Sequence, residues 1–166
     1  MAYRDANPLA EPVRSVVRTL SRTIDPSGRS RRLEVAYYFF AMALANVAVG
    51  GLAGAFGVDD LFTAERVARL VLAVPLGALV ARRLHDFGAS GWWALAVPLA
   101  IALSVPGVIA GAGLDFEARL SFEMAWRPLG AAASILGLAC LAIFLKEGDV
   151  GPNAYGPDPR DGDAGP

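Results

Sequence analysis

The sequence predicts an all-α polytopic membrane protein, with four transmembrane helices preceded by a short amphipathic cytoplasmic helix. Three observations predict it. Hydrophobic residues make up 55% of the 166, and the mean hydropathy of +0.45 is high for a soluble domain. The apolar residues are gathered into blocks, which the periodicity of a soluble core does not require. The basic residues are unevenly placed, with seven of the fourteen arginines before residue 35.

The blocks are taken in chain order. Val35 to Gly57 carries no charge, and a helix of that length covers roughly 34 Å, enough for a hydrocarbon core of about 30 Å. Ser30 is the expected N-cap, Glu34 suits the positive end of the helix dipole, and Tyr37 is placed at the interface. The second block, Leu61 to Ala81, is weaker. Its apolar part runs only from Leu70 to Ala81, so a span must recruit Glu65, Arg66 and Arg69, whose arginines reach the headgroups by snorkelling. Asp60 or Thr63 is the expected cap, and Pro75 the expected kink, with a re-entrant hairpin as the rival arrangement. The third block, Trp92 to Ala112, opens on a tryptophan pair that reads as an aromatic belt. Ser90 is its N-cap, and Pro98 and Pro106 predict bends. The fourth, Leu129 to Leu145, has Trp126 just outside it and Lys146 just past its end.

Three regions follow: a cytoplasmic N-terminal segment (1–27), a four-helix transmembrane domain (28–147) and a flexible cytoplasmic tail (148–166) rich in Gly, Pro and Asp. In the first region, Val13, Val16, Val17, Leu20 and Ile24 repeat at helical spacing, with Arg14, Arg18 and Arg22 on another face. Such a helix either lies on an anionic leaflet or packs on the end of the bundle. Prolines and acidic groups before Val35 argue against a signal peptide, so the first block is expected to be retained. With four spans, eleven of the fifteen Lys and Arg fall on one side and four on the other. The positive-inside rule then places both termini in the cytoplasm.

Composition also limits the chemistry. Cys140 is the only cysteine and His85 the only histidine, which leaves no intramolecular disulfide and no basis for a metal site. A net charge of −1 gives no reason to expect nucleic acid. Asn46, Ser104 and Ser134 are the polar residues within the spans, and no charge lies at mid-depth, which disfavours an ion-coupled transporter. Gly50 with Gly54, and Gly107 with Gly111, form GxxxG pairs suited to close helix packing or to a homodimer.

Three motifs coincide in order between the blocks: Gly28-Arg29-Ser30-Arg31-Arg32-Leu33-Glu34; Arg82-Arg83-Leu84-His85-Asp86-Phe87-Gly88-Ala89-Ser90-Gly91-Trp92-Trp93; and Gly151-Pro152-Asn153-Ala154-Tyr155-Gly156-Pro157-Asp158-Pro159. Together they resemble the DUF805 family of small bacterial inner-membrane proteins, over about Leu20 to Pro159. Val35 and Ala36 stand where the family typically has an aromatic pair, and Ala89 where it often has arginine. The resemblance implies a multi-pass inner-membrane address and no particular reaction.

The charged motifs carry two expectations. Arg29, Arg32, Arg82, Arg83, His85 and Asp86 form a candidate cluster for a phosphate or lipid headgroup, because arginine forks match phosphate oxygens. The alternative is that the arginines fix topology, with Asp86 neutralising Arg82 at i, i+4. Asn153, Tyr155, Gly156 and Pro157 form either a docking peptide for another protein or a clasp on the cytoplasmic face. The function expected is non-enzymatic and needs no cofactor. Its partners are membrane lipid, anionic lipid included, and a homo-oligomer or membrane-protein partner. A small transporter or channel subunit and an enzyme acting on lipid headgroups are the alternatives.

Overall fold

In the computed structural model the described residues are 10–57, 61–111 and 114–160. The expectations on Asp60, and on the side chains of Thr63, Ser104, Pro106, Gly107, Gly111, Ser134 and Cys140, lie outside what is described. Among the described residues the fold is all-helical: α1 (Ala10–Ser21), α2 (Arg32–Ala55), α3 (Leu61–Ala73), α4 (Leu76–His85), a 3-10 segment (Gly91–Leu95), α5 (Ala96–Gly111) and α6 (Phe116–Leu145).

α2 is apolar all round after its first turn, a pattern found in buried helices and membrane spans. Only 11% of its most apolar window is buried, so it is not the core helix of a soluble domain. It is the one helix among the described residues that is long and apolar enough to cross a membrane; the stretch Gly91–Leu103 is apolar but shorter. Phe40, Leu44 and Val47 of α2 are exposed, as are Val71 of α3, Leu99 of α5 and Ile135 of α6. Large apolar side chains are thus left uncovered on four helices.

The second block breaks into two helices, with Val74 and Pro75 in the turn between α3 and α4. Proline lacks the N–H that would continue the ladder and its ring crowds the preceding turn. α3 packs on α2 and α5, and α4 packs mainly on the 3-10 segment. The two touch each other little, so they are successive segments of one broken rod rather than the packed arms of a hairpin. Arg66 of α3 is paired with Glu123 of α6 at 3.0 Å.

Two expectations about helix ends, and one about the tail, need correction. Ser30 does not cap α2. It is fully buried and donates its hydroxyl to Glu34 Oε2 at 2.8 Å, leaving Arg31 at the N-cap position with no side-chain cap. The helix changes from 3-10 to α just before Pro98, which lies in the first turn of α5. There Ser90 does cap, its hydroxyl accepting from the Trp92 N–H at 3.4 Å. α6 begins at Phe116, not Leu129, and runs 30 residues through Pro128. Asp115 starts it by accepting from the Ala118 N–H at 2.8 Å, satisfying a first-turn donor. Finally, residues 149–160 are non-helical as expected but are folded onto the helices.

The core sits at one end of the bundle. Val35 and Tyr38 of α2, Leu79, Val80 and Leu84 of α4, and Phe144 of α6 form one buried cluster. α4 is the most enclosed helix, buried from Ala78 to Leu84. α1 lies against α2, with Val16 touching the core and Thr19 fully buried. Its remaining apolar row, Val13, Val17, Leu20 and Ile24, faces outward, so α1 both packs on the bundle and presents an apolar stripe.

Candidate functional site

The buried end of the bundle holds an unusual density of charge. Arg29, Glu34, Arg82, Arg83, Asp86 and Asp158 are all under 9% exposed. Charges are removed from water at this level only when paired and hydrogen-bonded.

Successive residues on a helix point about 100° apart, and Arg82 and Arg83 accordingly serve different partners. Arg82 faces the N-terminal segment. Its guanidinium donates to the carbonyls of Arg22 at 3.1 Å and Asp25 at 2.7 Å, and lies 3.6 Å from Glu34. Glu34 also accepts from Thr19 Oγ1 at 3.1 Å. Arg83 faces the tail, bonding the Asp86 carboxylate and the carbonyl of Lys146. Asp86 is shared: Arg29 Nε donates to its Oδ1 at 3.0 Å. The expected Arg82–Asp86 pairing is therefore replaced by Arg83–Asp86 at i, i+3. Asp86 is the C-cap of α4, past the helical repeat, and its carboxylate turns away from Arg82.

The tail is latched by the same groups. Arg29 donates to the carbonyls of Asp149 and Gly151, both at 2.5 Å, and the Asp149 N–H donates to the Asp86 carbonyl at 2.7 Å. Gly148 passes so close to the Asp86 carboxylate that a Cβ there would overlap it. His85 Nδ1–H donates to the Gly28 carbonyl at 3.1 Å, and the ring stacks on Tyr155 with centroids 4.0 Å apart. Asn153 donates its amide to the His85 carbonyl at 2.9 Å. A small turn closes between Asn153 and Gly156, leaving Pro157 exposed. Of the residues singled out in the tail, Asn153 and Tyr155 thus point into the protein.

Asp158 secures the end of the latch, and the sequence reading missed it. It accepts from Arg160 Nε at 2.8 Å, from the Arg160 N–H at 3.0 Å and from the Gly151 N–H at 2.9 Å. These bonds, the Arg160 side chain first, hold its carboxyl well below the usual carboxylate range. A depressed folded value means that the stabilisation is whole above the ordinary aspartate value of about 3.9. It is lost as pH falls through the depressed value. The Gly151 and Arg160 amide resonances in micelles are therefore expected to hold their positions from neutral pH down to about pH 4. A titration of both near pH 6 would contradict this.

Two hollows adjoin the charged junction. The larger, ≈ 760 Å³, is a mainly apolar groove floored by Gly77, Ala78 and Ala81 and reaching Ile101, with His85 and Tyr155 among its lining. The smaller, ≈ 280 Å³, has a mixed polar and apolar lining and lies at the start of α2. It is lined by Arg31, Arg32, Arg83 and Arg160 together with Asp86 and Glu147. Of the predicted phosphate cluster, Arg32, Arg83 and Asp86 line this hollow. Arg29 braces it from within, Arg82 belongs to the Glu34 side, and His85 belongs to the groove. Arg160 was not anticipated there, and Arg31, beside Arg32 in the sequence, joins the hollow with it. Among the described residues no group of three or more His, Cys, Asp or Glu is placed to hold a metal.

The profile of one protein family, described as a protein of unknown function (DUF805), matches residues 23–157. No curated protein and no solved structure matches the chain.

Proposed function

As a member of the DUF805 family, the chain starts from no assigned reaction, and we propose that it is a non-enzymatic, four-span protein of the bacterial inner membrane that binds an anionic membrane lipid at its basic end. Its spans are 32–57, the broken α3–α4 rod from 61 to 81, 91–111 and the later part of α6, with both termini cytoplasmic. The observation that carries the reading is the asymmetry of the molecule. Apolar side chains are exposed along α2, α3 and α5, while four arginines line one hollow and exposed Trp92, next to exposed Trp93 in the chain, lines the groove that also holds His85. Apolar flanks suit hydrocarbon, paired tryptophans suit the headgroup layer, and a basic end suits the anionic cytoplasmic leaflet. The exposed apolar row of α1, with Arg14 and Arg18 also exposed, suits the same surface.

Two measurements test the parts separately. Reporter fusions at Asp60 and Gly113 are expected to signal the non-cytoplasmic side; a cytoplasmic signal at Asp60 overturns the four-span arrangement. Native mass spectrometry after extraction from mixed bilayers is expected to show phosphatidylglycerol retained in preference to phosphatidylcholine. Equal retention of the two overturns the lipid reading.

A further inference from the structure

We infer that the hollow at the N-terminus of α2 is a phosphate-binding site, in which the uncapped first turn of the helix and the guanidinium groups of Arg31, Arg32, Arg83 and Arg160 receive one phosphoryl group. The inference rests on the reading that this end binds an anionic ligand, and it names the place and the chemistry.

Several independent features converge there. α2 is 24 residues long, and no side chain caps its start. Its first N–H groups have no partners within the helix, and the helix dipole places partial positive charge on them. Ser30, the residue able to cap, is turned inward to Glu34. Arg32 and Leu33 of that first turn both line the hollow, and exposed first-turn donors are the usual anion-binding feature of a helix start.

The side chains add charge. Four guanidiniums line the hollow with two carboxylates, and Arg160 is also paired with Asp158 just outside it at 2.8 Å. Asp86 is already engaged by Arg29 and Arg83, and Glu147 is largely exposed, 3.4 Å from Arg32. Arg83 is 1% exposed, yet its Nε–H has no acceptor. Burial pulls the Arg83 guanidinium below its ordinary value, opposed by Asp86, with Arg32 and Arg160 adding like-charge repulsion. A bound phosphate anion relieves that repulsion and supplies acceptors for fork-shaped donors. At ≈ 280 Å³ the hollow lies below the usual 300–1,000 Å³ or so of small-molecule sites. It suits a phosphoryl headgroup more than a whole nucleotide. The ligand is then either a lipid phosphomonoester or phosphodiester, or a free phosphate compound, sharing the same recognition chemistry.

The test uses the full chain in phosphatidylcholine nanodiscs, titrated with inorganic phosphate by calorimetry. Arg32→Gln is the informative variant, because Arg32 is 58% exposed and its loss removes one donor fork without opening the buried network. Arg14→Gln on exposed α1 removes the same charge elsewhere. Wild type and Arg14→Gln are expected to bind phosphate alike, with Arg32→Gln weaker by roughly tenfold, the usual scale for a lost hydrogen bond to a charged group. Equal binding by Arg32→Gln and wild type, or no binding by wild type, overturns the site. A second arm identifies the source. If phosphatidylglycerol retention falls in Arg32→Gln together with phosphate binding, the ligand is a headgroup. If retention is unchanged while phosphate binding falls, the site takes a free phosphate compound. The two readings also fail separately. Selective retention of phosphatidylglycerol without phosphate binding leaves the lipid reading and removes this site, whereas phosphate binding without lipid selectivity does the reverse.

Discussion

Replacing Asp86 with alanine is expected to lower the thermal midpoint of the detergent-solubilised protein by about 10 °C and to expose the tail to protease. One carboxylate holds two arginines there. Oδ1 accepts from Arg29, and Oδ2 accepts from Arg83. Both guanidiniums are 1% exposed and neither can shed its charge. Without Asp86 they face each other across a buried space with no counter-ion. Breaking a buried pair by removing one partner costs about 3–5 kcal/mol, because the remaining charge stays desolvated. Asp86→Ala does this to two partners at once. Arg29 also holds the carbonyls of Asp149 and Gly151, so its displacement carries the latch with it. Asp86→Asn keeps the shape and one acceptor and is expected to fall between alanine and wild type. Limited proteolysis gives the second readout, with cleavage within residues 149–160 accelerating in Asp86→Ala. An unchanged midpoint together with an unchanged cleavage rate would mean that water, not Asp86, already balances the two arginines.

The sequence made some of this legible. An uncharged run of more than 20 residues has few alternatives to a long helix, and α2 appears where it was read. Pro75 broke the second block because a missing N–H acts locally, and Ser90 capped the tryptophan-led segment for an equally local reason. The early start of α6 was hidden. Glu117, Arg119, Glu123, Arg127 and Pro128 read as a polar loop, although Asp115 before Phe116 is a cap signal and charged residues are ordinary on an exposed helical face. The pairing of the charged site was hidden more deeply. Asp86 finds Arg29, 57 residues away, and Arg29 reaches carbonyls more than 100 residues further on. No local spacing rule carries that information, so the nearby Arg82 was assigned to Asp86 by helical arithmetic alone. Tyr155 was legible only as a choice between clasp and docking peptide. Its stacking on His85 depends on where the tail returns, which the turn residues do not fix.

The geometry divides the junction into two fastenings built on consecutive residues of α4. Arg83 and Asp86 fasten the tail, while Arg82 and Glu34 fasten the N-terminal segment. The second half leads to an expectation about α1. Glu34 binds three groups from different places: Thr19 in the last turn of α1, Ser30 before α2, and Arg82 on α4. Arg82 in turn donates to the carbonyls of Arg22 and Asp25 just past α1. Its Nε and one terminal nitrogen have no hydrogen-bond partner, so the Glu34 charge 3.6 Å away is their main compensation. Glu34→Ala is therefore expected to cost about 3–5 kcal/mol and to detach α1, read as faster amide exchange over residues 10–21 than in wild type. Glu34→Gln keeps acceptor oxygen for Thr19 or Ser30 but not the charge, and should be milder. The decisive measurement is the double variant Arg82→Met/Glu34→Met. With both charges gone, no uncompensated ion remains, and the carbonyls freed at half-buried Arg22 and Asp25 can turn to water. Its cost should fall short of the sum of the two single methionine variants by about 0.5–3 kcal/mol. Strict additivity would show that Glu34 and Arg82 act independently. Thr19 and Ser30, rather than the ion pair, would then be what holds the N-terminal helix to the bundle.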